Sequence, residues 1–182
     1  VAVLDPTSDY AKDKLACEKQ LAGTGAIIVR SASVCGYSPN MRFDITVNRM
    51  AHDAYKKSCI TVNGGEQERS HIHILDLCDS YMKLLTHGEQ GKTYTVCAVS
   101  EKVSWTARRI ADAFYRVANK PVMVDVIGRT DNRSYSVVGD DLLYWFPKRT
   151  IEMAALDMVA RFDSGMWKDT TDEQMWRINR GI

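Results

Sequence analysis

The sequence predicts an α/β fold. Short apolar, β-branched runs such as "AIIV" at 26–29 and "PVMVDVI" at 121–127 are too brief for buried helices. They alternate with segments of helical period such as "SWTARRIADAFYRVANK", and that alternation is the α/β pattern. A hydrophobic content of 45% with 26% charged residues completes the case, since it is ordinary for a globular chain with a packed core.

The elements follow in order. Asp5, Pro6, Thr7 and Ser8 read as a loop leading into a helix at roughly 9–22, closed by Gly23 and Gly25. Residues 26–31 read as a buried parallel strand. "SPNMRFDITVNRMAHDAYKK" begins as a loop and turns helical near Asp44. "CITVNGGEQER" is a strand running into a Gly-Gly turn, a hairpin or loop signal. In "HIHILDLCDSYMKLLTHG", Asp76 takes the N-cap position, while Ile74, Leu77, Tyr81, Leu84 and Leu85 keep helical spacing. "KTYTVCAV" is a further strand, and the helix after it is expected to be capped by Ser104, with Trp105, Phe114 and Val117 in the core. A strand at 121–127, a polar loop and two short helical pieces complete the chain.

Composition narrows the function. A formal net charge of +1 without a basic run gives no nucleic-acid footprint. The five cysteines are odd in number and contain no C-x-x-C, which argues against a disulfide framework or a zinc site. His71, His73 and Asp76 imitate metal-ligand spacing, but no further ligand stands in pattern, so no metal is expected. Reduced thiols point to a cytoplasmic protein. No apolar run approaches a membrane span, and no signal-peptide pattern opens the sequence. Because residue 1 is valine, the sequence is expected to begin after processing or within something larger.

One short stretch carries the chemistry. "DYAKDKLACE" places Tyr10 and Lys14 four apart, hence on one face of a helix. A free phenol titrates near pH 10, and a cation one turn away favours its ionised form, as an acid/base group requires. The spacing alone also fits an ordinary solvated helical face.

The order of motifs resembles the extended short-chain dehydrogenases, the NAD-dependent nucleotide-sugar epimerases and dehydratases. Tyr10 and Lys14 followed by Glu18 resemble the family's "YxxxK…E" helix. "VRSASVCGYSP" is similar to its "R-x-x-x-V-x-G-x-x-P" loop, and "MRFDITVN" to its substrate-loop segment. "ITVNGGEQERSHIHILD" and "TDNRSY" resemble two later elements. The sequence departs from the pattern at Ser70 and Asp141, and "YWFPKRT" lacks a glycine before the aromatic.

The resemblance implies NAD as cofactor and a nucleotide-diphosphate sugar as substrate. Tyr10 would be the acid/base and Lys14 its partner, both also touching the cofactor. Tyr37, Ser38, Asn48, Arg69 and Arg133 would bind the substrate, the arginines because a planar guanidinium suits a diphosphate. None of the 11 glycines forms the G-x-x-G-x-x-G turn that cradles a pyrophosphate. The expectation is therefore the C-terminal part of a Rossmann-like doubly wound sheet plus a small α/β substrate-binding lobe. Residues 1–36 would carry the last Rossmann-like helix and strand, and 37–182 the lobe interleaved with returning elements. On this reading the dinucleotide-binding half is absent and the isolated chain binds NAD weakly. The chain is then either the C-terminal portion of such an enzyme or a non-catalytic, truncated sugar-nucleotide module. A homo-oligomer, or a partner chain over the sheet edge, is expected as well.

Overall fold

A computed structural model of the chain describes residues 6, 8–128, 134–142 and 145–167. Helix α1 spans Asp9–Leu21, and Ser8 caps it by accepting from the Ala11 N–H at 3.2 Å. Strand β1 (Ile28–Ser31) and strand β2 (Ser33–Cys35) run almost continuously, separated only by Ala32. Helix α2 is Thr46–Lys57, and its last turn closes at Ser58 in a left-handed conformation. Strand β3 (Cys59–Asn63) leads through Gly64 and Gly65 towards strand β4 (Glu68–His73), which feeds helix α3 (Ile74–His87). Strands β5 (Thr93–Val96) and β6 (Val99–Lys102) precede helix α4 (Val103–Ala118). Strand β7 (Met123–Ile127) and helix α5 (Ile151–Asp163) complete the described elements.

Parallel pairing dominates. β1 pairs with β5, β2 with β4 and β3 with β7, all parallel, whereas β4 and β6 are antiparallel. Parallel neighbours need a crossover of a dozen residues or more, which α2, α3 and α4 supply. The β1–β2 segment has different partners along its length: β5 beside its first half and β4 beside its second.

These pairings correct the expected fold. Parallel crossovers recur from β1 to β7, so the doubly wound, Rossmann-like α/β arrangement extends through the described chain. It is not confined to the C-terminal part of such a sheet. The Gly-Gly turn also makes no hairpin, because β3 and β4 belong to different sheets. Gly65 sits there at φ +100°, where a Cβ would come within 3.1 Å of the Ser104 Cβ.

Two apolar clusters hold the layers. Phe43, Val47, Ile60, Ile110, Phe114 and Met158 are buried where α2, α4 and α5 meet. Ile72, Leu77, Leu84, Tyr94, Val96 and Leu142 form the second cluster, beneath α3. Phe114 is in the core as expected, but Trp105 and Val117 are exposed. Leu77 and Leu84 face inward from α3, while Tyr81 and Leu85 point to solvent.

The helix caps differ from the expected ones. His73, not Asp76, is the N-cap of α3: its Nδ1 accepts from the Leu75 N–H at 3.1 Å. Asp76 lies inside the first turn and holds a distant loop. α4 starts at Val103 without a side-chain cap, and Ser104 is buried behind Gly65.

Candidate functional site

α1 presents Tyr10, Lys14 and Glu18 along one face, as residues four apart must be. The Lys14 Nζ lies 5.4 Å from the centroid of the Tyr10 ring. Together with Pro6, Ala11, Leu15 and Arg30 they line an open cleft of about 330 Å³. Tyr10 is 65% exposed, so its hydroxyl is accessible from the cleft. Glu18 accepts from the Arg30 Nε at 3.0 Å and from the same guanidinium's second nitrogen, which ties α1 to β1.

A second cleft, about 310 Å³, opens between α2 and the ends of β3 and β4. Arg49, Arg69, Asn63 and Gln67 line it with Asp44 and Thr46. The Arg69 guanidinium lies 5.3 Å from the Tyr135 ring centroid and donates to the Glu68 carbonyl at 2.8 Å. Two arginines and two side-chain amides, against the one carboxylate of Asp44, leave this cleft net positive and suited to an anionic group.

Asn48 is buried on α2. Its Oδ1 accepts from the Gly36 N–H and its Nδ2 donates to the Arg42 carbonyl, both at 2.9 Å. It therefore fixes the loop between β2 and α2. Tyr37 packs its ring at 5.8 Å from Trp167, with the Arg161 guanidinium 4.2 Å above it. Ser38 is half-buried on the same loop. Arg133 lies outside the described residues.

Three charged groups escaped the sequence reading. Arg30 is there the arginine of the "R-x-x-x-V-x-G-x-x-P" resemblance without a role of its own, and only the packing of α1 on β1 brings it to Glu18. Arg42 pairs with Asp44, whose hydrogen bond and charge hold its guanidinium firmly charged against the opposing cost of burial. Arg49 was legible, because it adjoins Asn48 and shares the α2 face that opens on Arg69.

Further along β4 from Arg69, His71 is fully buried, and among the described residues neither of its ring nitrogens has a hydrogen-bond partner. Burial, then the charges of Arg69 and Arg109, push its pKa down to about 4. Among the described residues no group of histidines, cysteines and carboxylates could hold a metal ion.

The model of the NAD dependent epimerase/dehydratase family matches residues 2–97. The chain belongs to that family. A UDP-glucose 4-epimerase from Rhizobium leguminosarum bv. trifolii is 27% identical over 85 residues, covering 44% of this chain and 26% of that protein. Among solved structures, RMD from Pseudomonas aeruginosa complexed with NADPH has a TM-score of 0.72 at 22% identity. That likeness covers 88% of this chain and 58% of RMD. A dTDP-glucose 4,6-dehydratase from Bacillus anthracis in complex with NAD has a TM-score of 0.69 at 17% identity, over 96% of this chain and 56% of its own. The chain thus spans little more than half the length of these solved relatives, and the likeness speaks for the fold.

Three expectations are corrected by these findings. The family match falls on the first half of the chain, residues 2–97. That half includes α1 and the parallel β1–β5 pair, so the reading as a C-terminal half alone is set aside. The claim that a dinucleotide-binding region is missing goes with it. So does the description of the function as that of a truncated portion or a relic unable to bind NAD. Among the described residues no helix is long and apolar enough to cross a membrane.

Proposed function

We propose that this epimerase/dehydratase-family chain takes part in the nicotinamide-dependent oxidation of a hydroxyl group on a nucleotide sugar. One observation carries the reading: Lys14 stands 5.4 Å from the Tyr10 ring on an accessible face of α1, inside the segment the family model matches. Tyr10 takes the proton of the sugar hydroxyl, and the Lys14 ammonium stabilises the phenolate that does so. A bound nicotinamide cofactor supplies the acceptor for the electron pair of the carbinol C–H bond.

The residues present suit the nicotinamide end of such a cofactor. Pro6, Ala11 and Leu15 give apolar walls, and Lys14 offers a donor for a ribose hydroxyl. Arg69 and Arg133 would receive the diphosphate, with Asn48 holding the β2–α2 loop beside them rather than reaching the ligand itself, while Tyr37 and Ser38 would border the sugar. The solved relatives with NADPH and NAD support the cofactor class. A homo-oligomer belongs to the same reading, since β7 leaves one edge unpaired among the described residues.

The test is turnover of the chain with NAD and UDP-glucose as probe, followed by the absorbance of reduced nicotinamide. Tyr10→Phe removes the proton acceptor and should lower kcat by about 10²- to 10⁴-fold, the usual worth of a general base. Unchanged turnover in Tyr10→Phe would dismiss the assignment.

A further inference from the structure

α1 buries none of its side chains. Ala11 and Leu15 are only half-buried, and a polar tie adds to the hold on Tyr10 and Lys14. Arg30 on β1 provides it, with its Nε at 3.0 and 3.1 Å from the two Glu18 carboxylate oxygens. The two side chains are 33% and 22% exposed, more shielded than an ordinary surface pair.

The same pair has a second effect. Glu18 is four residues from Lys14, the spacing at which a carboxylate and an ammonium pair along a helix. Among the described residues Lys14 has no carboxylate partner, because Glu18 turns to Arg30 and Lys14 stands by the Tyr10 ring. Were Glu18 released, it would reach Lys14 and cancel the charge that favours the phenolate.

We infer that Arg30 is a positioning residue, which docks α1 on β1 and keeps Glu18 from neutralising Lys14. Among the described residues, other charges near the cleft include Asp140, whose field reaches Arg30 from the loop after β7, and Arg42, held by Asp44. The proposal rests on the dehydrogenation reading above, so its test includes a readout that needs no turnover.

The test uses the full chain as wild type, Arg30→Gln, Glu18→Gln and the double variant. Lysines carry ¹³C-dimethyl labels, and the Lys14 resonance is assigned with Lys14→Arg. Arg30→Gln should shift the Lys14 resonance, whereas the double variant, lacking the carboxylate, should return it to the wild-type position. Where the chain turns over, the acid limb of the pH–kcat profile should move to higher pH in Arg30→Gln and return in the double variant, with KM for UDP-glucose changed less than about twofold. Amide exchange in α1 should quicken in Arg30→Gln and in the double variant alike. A purely structural tie would give no recovery in the double variant, and that result overturns the proposal. So does an Arg30→Gln chain whose Lys14 resonance stays in place. Loss of the Tyr10 assignment alone, with the Lys14 shift and its rescue intact, removes the catalytic reading and leaves the Arg30 switch standing.

Discussion

Asp76 and Arg149 meet at 2.6 Å although they stand on different elements far apart in the chain. The Asp76 carboxylate also accepts from the Lys148 and Arg149 backbone N–H groups at 3.0 and 2.8 Å, and it is fully buried. This single side chain anchors the approach to α5 on the first turn of α3. Asp76→Ala strips three donors of their acceptor, at about 1–3 kcal/mol for each backbone group that stays dry, while the part-exposed Arg149 keeps Asp79. Arg149→Ala should cost less, because the two backbone donors stay in place. Urea unfolding of the two variants checks the order.

Stability should fall with acid in a window set by His71. Burial keeps its imidazole neutral in the fold, with the pKa lowered from 6.5 to about 4, whereas the unfolded chain binds a proton below about pH 6.5. The contribution is thus complete above pH 6.5 and lost as the pH falls towards 4, amounting to about 3 kcal/mol. His71→Phe should flatten the urea midpoint across that window. Asp53 acts lower down. Burial raises its pKa, but hydrogen bonds from His52 and Lys57 and the charges of Lys57 and Arg49 prevail and bring it to about 2. Its contribution is lost between about pH 3.8 and 2 and should survive in His71→Phe.

The second cleft predicts a division between affinity and chemistry. Arg69→Ala should weaken UDP-glucose binding by roughly ten- to a hundredfold, the worth of about 1.5–3 kcal/mol for a charge-assisted contact. Arg69→Lys should recover only part, since it supplies charge without the planar fork. Tyr10→Phe should leave the affinity close to wild type. Calorimetry showing equal losses in Arg69→Ala and Tyr10→Phe would reject the assignment of this cleft.

Asn48 should report on stability. Its amide satisfies the Gly36 N–H and the Arg42 carbonyl, and Gly36 itself holds φ at +100°. Asn48→Ala leaves both backbone groups without their partner, at about 1–3 kcal/mol for each that stays dry. A variant with unchanged thermal midpoint would show that the loop re-forms with water.

Much of this was legible in the sequence because periodicity reports local structure. Tyr10 and Lys14 had to share a face once α1 was a helix, and Phe114 had to turn inward on α4. What periodicity does not carry is the partner across space. Glu18 and Arg30 meet through the packing of α1 on β1, and Asp76 was read as a cap because its use by Lys148 and Arg149 depends on the tertiary fold. Trp105 and Val117 failed for a related reason. A helical stripe fixes relative directions, but the neighbours decide how wide a stripe is covered. The same limit led to a partial, C-terminal sheet being inferred, since strand runs reveal neither their pairing partners nor their order.

The parallel pairing of β3 with β7 sets a schedule for synthesis. Cys59 takes its place beside Met123 only when the intervening β4, α3, β5, β6 and α4 have left the ribosome. At roughly 5–20 residues per second that interval lasts several seconds. Throughout it the apolar segment "CITVN" has an open edge, and a growing chain in a crowded polysome has neighbours with the same edge. Slow codons between β3 and β7 would lengthen that exposure, whereas slow codons after Ile127 would come once the edge is closed.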